Sequence, residues 1–140
     1  GTSVINCWTA LDPIPIETAL RFWKGSHAED RVYQAVDFAG EGDYRHRQAD
    51  RSPPPDIDAD PSVDILATEL APGDMLVWSS CTFHSAPGNT LDQRRAAFSI
   101  NWIGDGVTFH DIPSLQSYRA EGVTEGMPIT CEKFPVVRQR

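Results

Sequence analysis

Apolar and polar positions alternate with a period of two over most of the chain. Residues 4–11 (VINCWTAL) split into two faces, Val4/Asn6/Trp8/Ala10 and Ile5/Cys7/Thr9/Leu11. Successive side chains of a strand point to opposite sides, so this pattern predicts a strand. Short apolar or aromatic runs at 19–23 (ALRFW), 63–70 (VDILATEL) and 75–80 (MLVWSS) predict three more, the last two joined by the turn signal Ala71-Pro72-Gly73-Asp74. The longest clean alternation is 95–103 (RAAFSINWI). Ala96/Phe98/Ile100/Trp102 make an apolar face there, and Arg95/Ala97/Ser99/Asn101 a small, polar one. Several short strands punctuated by Gly and Pro predict an all-β sandwich or jelly roll. Helix is expected only in scraps, as around Ser114 to Ala120.

Between Glu41 and Ser62 the pattern lapses. That stretch holds Arg45-His46-Arg47, the prolines Pro53 to Pro55 and the acidic Asp56, Asp58 and Asp60. It predicts a long polar surface loop, serving either as a binding loop or as a solvated insertion. The 140 residues suffice for one domain with a core. No run approaches the roughly 18 apolar residues of a membrane span. A net charge of −8 argues against nucleic acid as a partner. The cysteines Cys7, Cys81 and Cys131 are odd in number and widely spaced, which disfavours a disulfide framework or zinc knuckle. Cys7 and Cys81 sit in apolar runs and read as small buried hydrophobes. A reducing, cytoplasmic setting fits.

Candidate chemistry gathers near the turn CTFHSAPGN, residues 81–89. His84 precedes a Pro-Gly-Asn turn, and Arg95 lies eleven residues further on, at the head of the alternating strand. Polar groups facing into a jelly roll must be satisfied or used. An arginine there suits a carboxylate held by two charged hydrogen bonds. An imidazole and a guanidinium in one cavity suit a metal with a dicarboxylate co-substrate, chelated at one end and salt-bridged at the other. A lone histidine near a strand end also has a plain structural reading, and spacing alone does not decide between them.

Four stretches, in order, resemble the phytanoyl-CoA dioxygenase family of iron(II)- and 2-oxoglutarate-dependent oxygenases. Trp8-Thr9-Ala10-Leu11-Asp12 is similar to W-x-A-L/M-D/E, and Gly25-Ser26-His27 to G-S/T-H. Gly73-Asp74-Met75-Leu76 is similar to G-D-x-L/V, and His84, Asn89 and Arg95-Ala96-Ala97 to H-x4-N-x5-R-x-A. The closing Lys133-Phe134-Pro135-Val136-Val137 also looks like bacterial members. The resemblance implies a double-stranded β-helix (a cupin-like jelly roll), with Fe(II) as metal and 2-oxoglutarate as co-substrate. It makes His84 the distal iron ligand and Arg95 the anchor for the far carboxylate. Trp8 would line the co-substrate pocket, and Asn89 would be a turn residue near the ligand. Some members carry a hydroxyl two residues after the distal histidine. Here that position is Ala86, and Ser99 could supply the contact instead.

The family's iron site is a facial triad of two histidines and one carboxylate. Its H-x-D motif lies upstream of the strand that matches Trp8, which would make residues 1–140 the C-terminal part of a single oxygenase domain. A rival within the chain is His27-Ala28-Glu29, literally H-x-E, completed by His84. The activity implied is hydroxylation of an unactivated C–H in a small-molecule or acyl substrate, using O2 and releasing succinate and CO2. Two alternatives stand beside it. One is a related 2-oxoglutarate-dependent halogenase, in which chloride replaces the carboxylate ligand. The other is a non-catalytic jelly-roll binding module.

Overall fold

The computed structural model describes residues 3–29, 33, 52–53, 55–111 and 116–137. They divide into two compact units, 1–103 and 104–140. Among its described residues the first unit holds six strands: β1 Val4–Ala10, β2 Arg21–Trp23, β3 Ile65–Ala67, β4 Met75–Ser79, β5 His84–Ser85 and β6 Ala97–Ile103. These form two three-stranded sheets, ordered β4-β1-β6 and β3-β2-β5, and every pairing is antiparallel. Apart from β2 and β3, consecutive strands alternate between the sheets. This is jelly-roll winding, and the all-β expectation holds.

Each predicted strand is present but trimmed, because turns take the ends. The peptides after β1 run through Pro13 and Pro15, which cannot donate to a ladder. Gly73 adopts φ +96°, and Asp74 accepts the Ala71 N–H through Oδ2 at 2.8 Å, closing the turn into β4. The Gly73 N–H donates to the Ala10 carbonyl at 2.8 Å and the Ala10 N–H to the Asp74 carbonyl at 2.9 Å. The turn is thereby tied to the end of β1.

Residues paired across an antiparallel ladder present their side chains to the same side. Trp8 is opposite Leu76 and Ser99, and Asn6 is opposite Trp78 and Asn101. Trp78 meets the other sheet, with its ring 5.1 Å from Phe22 and 5.2 Å from His84. The face bearing Asn6, Trp8, Ser99 and Asn101 is therefore the one turned toward the other sheet, with Ser99 and Asn101 of β6 left exposed. At its base Ala10, Ile14, Ala19 and Leu70 are buried together, with Trp8 and Leu76 packed against them. The opposite face carries Ile5, Met75, Val77, Phe98, Ile100 and Trp102, all exposed.

Cys7 is buried as expected, but Cys81 is exposed. Its apolar run ends at Ser79, and Cys81 sits in the following turn, donating its N–H to the Ser79 hydroxyl at 3.2 Å. A turn lies outside the ladder, so its side chain meets solvent. Most of the polar loop at 41–62, including His46, lies outside the described residues. Its described end, 55–62, is a series of turns in which Asp56 and Asp60 accept nearby backbone N–H groups. Among its described residues the second unit holds a short helix, α1 Gln116–Ala120, and buries Phe109 and Val123. No helix among the described residues is long and apolar enough to cross a membrane.

Candidate functional site

His84 opens β5, opposite Phe22 of β2, and is half-buried. Its Nδ1 lies 3.0 Å from the Thr82 carbonyl oxygen. A carbonyl only accepts, so the hydrogen of the neutral ring is on Nδ1 and the lone pair is on Nε2. Metal-binding histidines are commonly oriented in this way, through a hydrogen bond from the other ring nitrogen. Phe22 stacks on the imidazole at 5.9 Å, and Trp78 meets it edge-on. The same two rings line an apolar cavity of about 190 Å³ that reaches Leu66 of β3 and Leu76 of β4.

Arg95 stands two residues before β6 and is half-buried. Its guanidinium carbon lies 5.7 Å from the centroid of the Trp8 ring, a cation–π distance. Its Nε is buried without a hydrogen-bond partner. A buried charged donor left unpaired is costly unless a ligand pairs it, and a carboxylate does so best. Among the described residues, Trp78 Nε1 and Ser85 Oγ share this unpartnered, buried state. Both belong to residues at His84, one in ring contact with it and the other next to it in the chain.

Asp12 explains how Arg95 comes to face inward. Its carboxylate accepts two hydrogen bonds from Arg94, Nε to Oδ2 at 3.0 Å and an Nη to Oδ1 at 2.7 Å. It also accepts the Ala96 N–H at 2.8 Å. Both chain neighbours of Arg95 are thus clamped to the end of β1. The Arg94 hydrogen bond, followed by the Ala96 N–H, holds the Asp12 carboxyl below the ordinary aspartate range. A depressed folded-state pKa contributes stability that is whole above the ordinary value of ~3.9 and is lost as pH falls through the folded value. Asp12→Asn should therefore flatten the acid limb of the stability–pH curve, measured by urea unfolding between about pH 2 and pH 5. An acid limb as steep as in the unsubstituted protein would refute the clamp.

The remaining candidates fall in different places. Ser99 pairs with Trp8 across the ladder but is exposed. Asn89 is exposed; its Nδ2 donates to the Gln93 carbonyl and its Oδ1 accepts the Leu91 N–H, so it builds the turn. His27 is exposed in the 3-10 turn Ser26–Ala28. Glu29, just after that turn, accepts a hydrogen bond from the Tyr33 hydroxyl. Among the described residues no three His, Cys, Asp or Glu side chains are placed to hold a metal ion. His27, Glu29 and His84 are thus not brought together as a triad. His110 pairs with Glu125 in the second unit.

A jelly roll with a tautomer-fixed histidine on one sheet, and an arginine with its Nε unpartnered over a tryptophan of the other, defines a double-stranded β-helix protein. The sequence model of one such family, phytanoyl-CoA dioxygenase (PhyH), matches residues 1–97. The chain belongs to the phytanoyl-CoA dioxygenase family. Among solved structures it is similar to SnoN, described as the non-heme alpha ketoglutarate dependent epimerase from nogalamycin biosynthesis. The two are 25% identical, with a TM-score of 0.57 over 98% of this chain and 50% of SnoN. The chain thus spans about half the length of that relative. No curated protein matches it.

Proposed function

We propose that this chain is part of a non-haem iron(II)- and 2-oxoglutarate-dependent oxygenase acting on an unactivated C–H of a small molecule. The observation that carries this reading is the Arg95 guanidinium, half-buried against Trp8 with its Nε unpaired. When bound, iron(II) and 2-oxoglutarate supply oxygen activation coupled to decarboxylation of 2-oxoglutarate to succinate and CO2.

The chain's own residues hold and orient. His84 offers Nε2 to the metal as one ligand. Arg95 receives the far carboxylate of 2-oxoglutarate, the type of anion its planar fork fits. Trp8 supplies the apolar wall that keeps water from that ion pair and strengthens it. Family membership supports the assignment, and the likeness to SnoN supports a second outcome at the same centre. That outcome is epimerisation instead of hydroxylation, the activity in SnoN's description.

Anaerobic addition of iron(II) and 2-oxoglutarate to the full protein should produce a weak visible charge-transfer band. Admitting oxygen should then release succinate. If neither is seen, the oxygenase reading fails and a non-catalytic binding module replaces it. With a turned-over substrate in hand, a product heavier by one oxygen atom marks hydroxylation, and an unchanged mass marks epimerisation.

A further inference from the structure

Ser26 belongs to a motif whose purpose the site above does not use. Its side chain is buried, at 7% exposure, and fully engaged. The hydroxyl donates to the Trp23 carbonyl at 2.8 Å, and its oxygen accepts the Phe83 N–H at 2.8 Å. Gly25, at φ +80°, makes the tight turn that brings Ser26 back beside the end of β2. A further backbone bond, Trp23 N–H to the Phe83 carbonyl at 3.0 Å, runs alongside.

The consequence lies in a single peptide group. The Phe83 N–H and the Thr82 C=O belong to the same rigid plane. Ser26 holds one end of that plane, and the other end accepts the His84 Nδ1–H. Next to it, the Thr82 N–H is fixed on the Ser79 carbonyl at 2.8 Å. Hydrogen bonds in such a chain polarise one another. The hydroxyl orients the carbonyl, and the carbonyl selects the ring tautomer.

We propose that Ser26 is the positioning residue for His84: its hydroxyl sets the Thr82–Phe83 peptide so that the imidazole keeps hydrogen on Nδ1 and presents Nε2 to a metal. The relevance of the Nε2 lone pair rests on reading His84 as an iron ligand; the relay itself does not.

The test is the tautomer of His84 in metal-free, histidine-labelled protein, read from its ring nitrogen shifts at a pH where the ring is neutral. His84→Gln assigns the signal. In the unsubstituted protein the Nδ1–H form should dominate. Ser26→Ala should lower the ratio of Nδ1–H to Nε2–H roughly fivefold, the weight of about one net hydrogen bond. Ser26→Thr, which keeps the hydroxyl, should restore it. Iron(II) affinity should fall by no more than about fivefold in Ser26→Ala, because it follows the population of the Nδ1–H form.

A folded Ser26→Ala protein with an unchanged tautomer ratio overturns the proposal. If Ser26→Ala does not fold, Ser26→Cys replaces it, because a thiol is a weaker donor and acceptor. A smaller shift in the same direction supports the relay, and no shift overturns it. A tautomer shift in a protein that never binds iron(II) leaves the relay standing and removes only the oxygenase reading. Iron binding with no shift removes only the relay.

Discussion

Replacing His84 by alanine should reduce iron(II) binding by more than about 100-fold. Loss of an outer partner alone typically costs 10- to 100-fold, and here the donor atom itself is removed. The Nδ1–H bond to the Thr82 carbonyl fixes which nitrogen is the donor. The substitution should therefore not be rescued by asparagine, whose amide cannot present the same lone pair at the same reach. The fold should survive, because His84 is only half-buried and the core at Ala10, Ile14, Ala19 and Leu70 lies elsewhere. Isothermal titration of iron(II) under anaerobic conditions, with circular dichroism as the control for folding, makes the measurement. His27→Ala and Glu29→Ala should leave iron affinity unchanged, since neither is placed with His84 to hold a metal. Loss of iron in the Glu29 variant, with His84→Ala retaining it, would invert the assignment.

The strands and their faces were legible in the sequence because alternation depends only on the geometry of a pleated chain. The split of residues 4–11 into Val4/Asn6/Trp8/Ala10 and its complement corresponds to the inner and outer faces found. Of the polar set, Arg95 is half-buried with its Nε unpartnered, while Ser99 and Asn101 are exposed. Alternation does not say how far a face is covered, so the exposure of Phe98, Ile100 and Trp102 could not be read from it. Nor does an apolar run reveal where the ladder stops, which is why Cys81 was expected inside and lies outside.

The positioning contacts were illegible for a different reason. Asp12 meets Arg94 across 82 positions, and Ser26 meets Phe83 across 57. Each depends on which strand neighbours which. The atom that sets the His84 tautomer is a backbone carbonyl, which has no sequence identity at all. Yet Asp12 and Ser26 both lie in stretches that resemble family motifs. The structure supplies a physical reason for those letters: one clamps the chain on either side of Arg95, the other the peptide that orients His84.

Arg95→Ala should weaken 2-oxoglutarate by about 2–5 kcal/mol, the usual effect of removing one partner of a buried, hydrogen-bonded charge pair. Iron(II) affinity should stay close to that of the unsubstituted protein, because Arg95 has no part in holding His84. The separation of the two effects is the informative result. Equal loss of both would mean that the inner face had collapsed and that no anchor had been probed. Arg95→Lys is the sharper variant. Lysine keeps the positive charge, but it is a point charge without the planar fork, so it cannot bond a carboxylate at two points or lie flat on an aromatic ring in the same way. If two-point bonding and stacking on Trp8 both matter, Arg95→Lys should recover only part of the lost affinity, and Trp8→Leu should lower affinity in the arginine protein more than in the lysine one. Full recovery by lysine would show that charge alone suffices, and the 5.7 Å approach to Trp8 would then serve packing alone, with no share in binding the co-substrate.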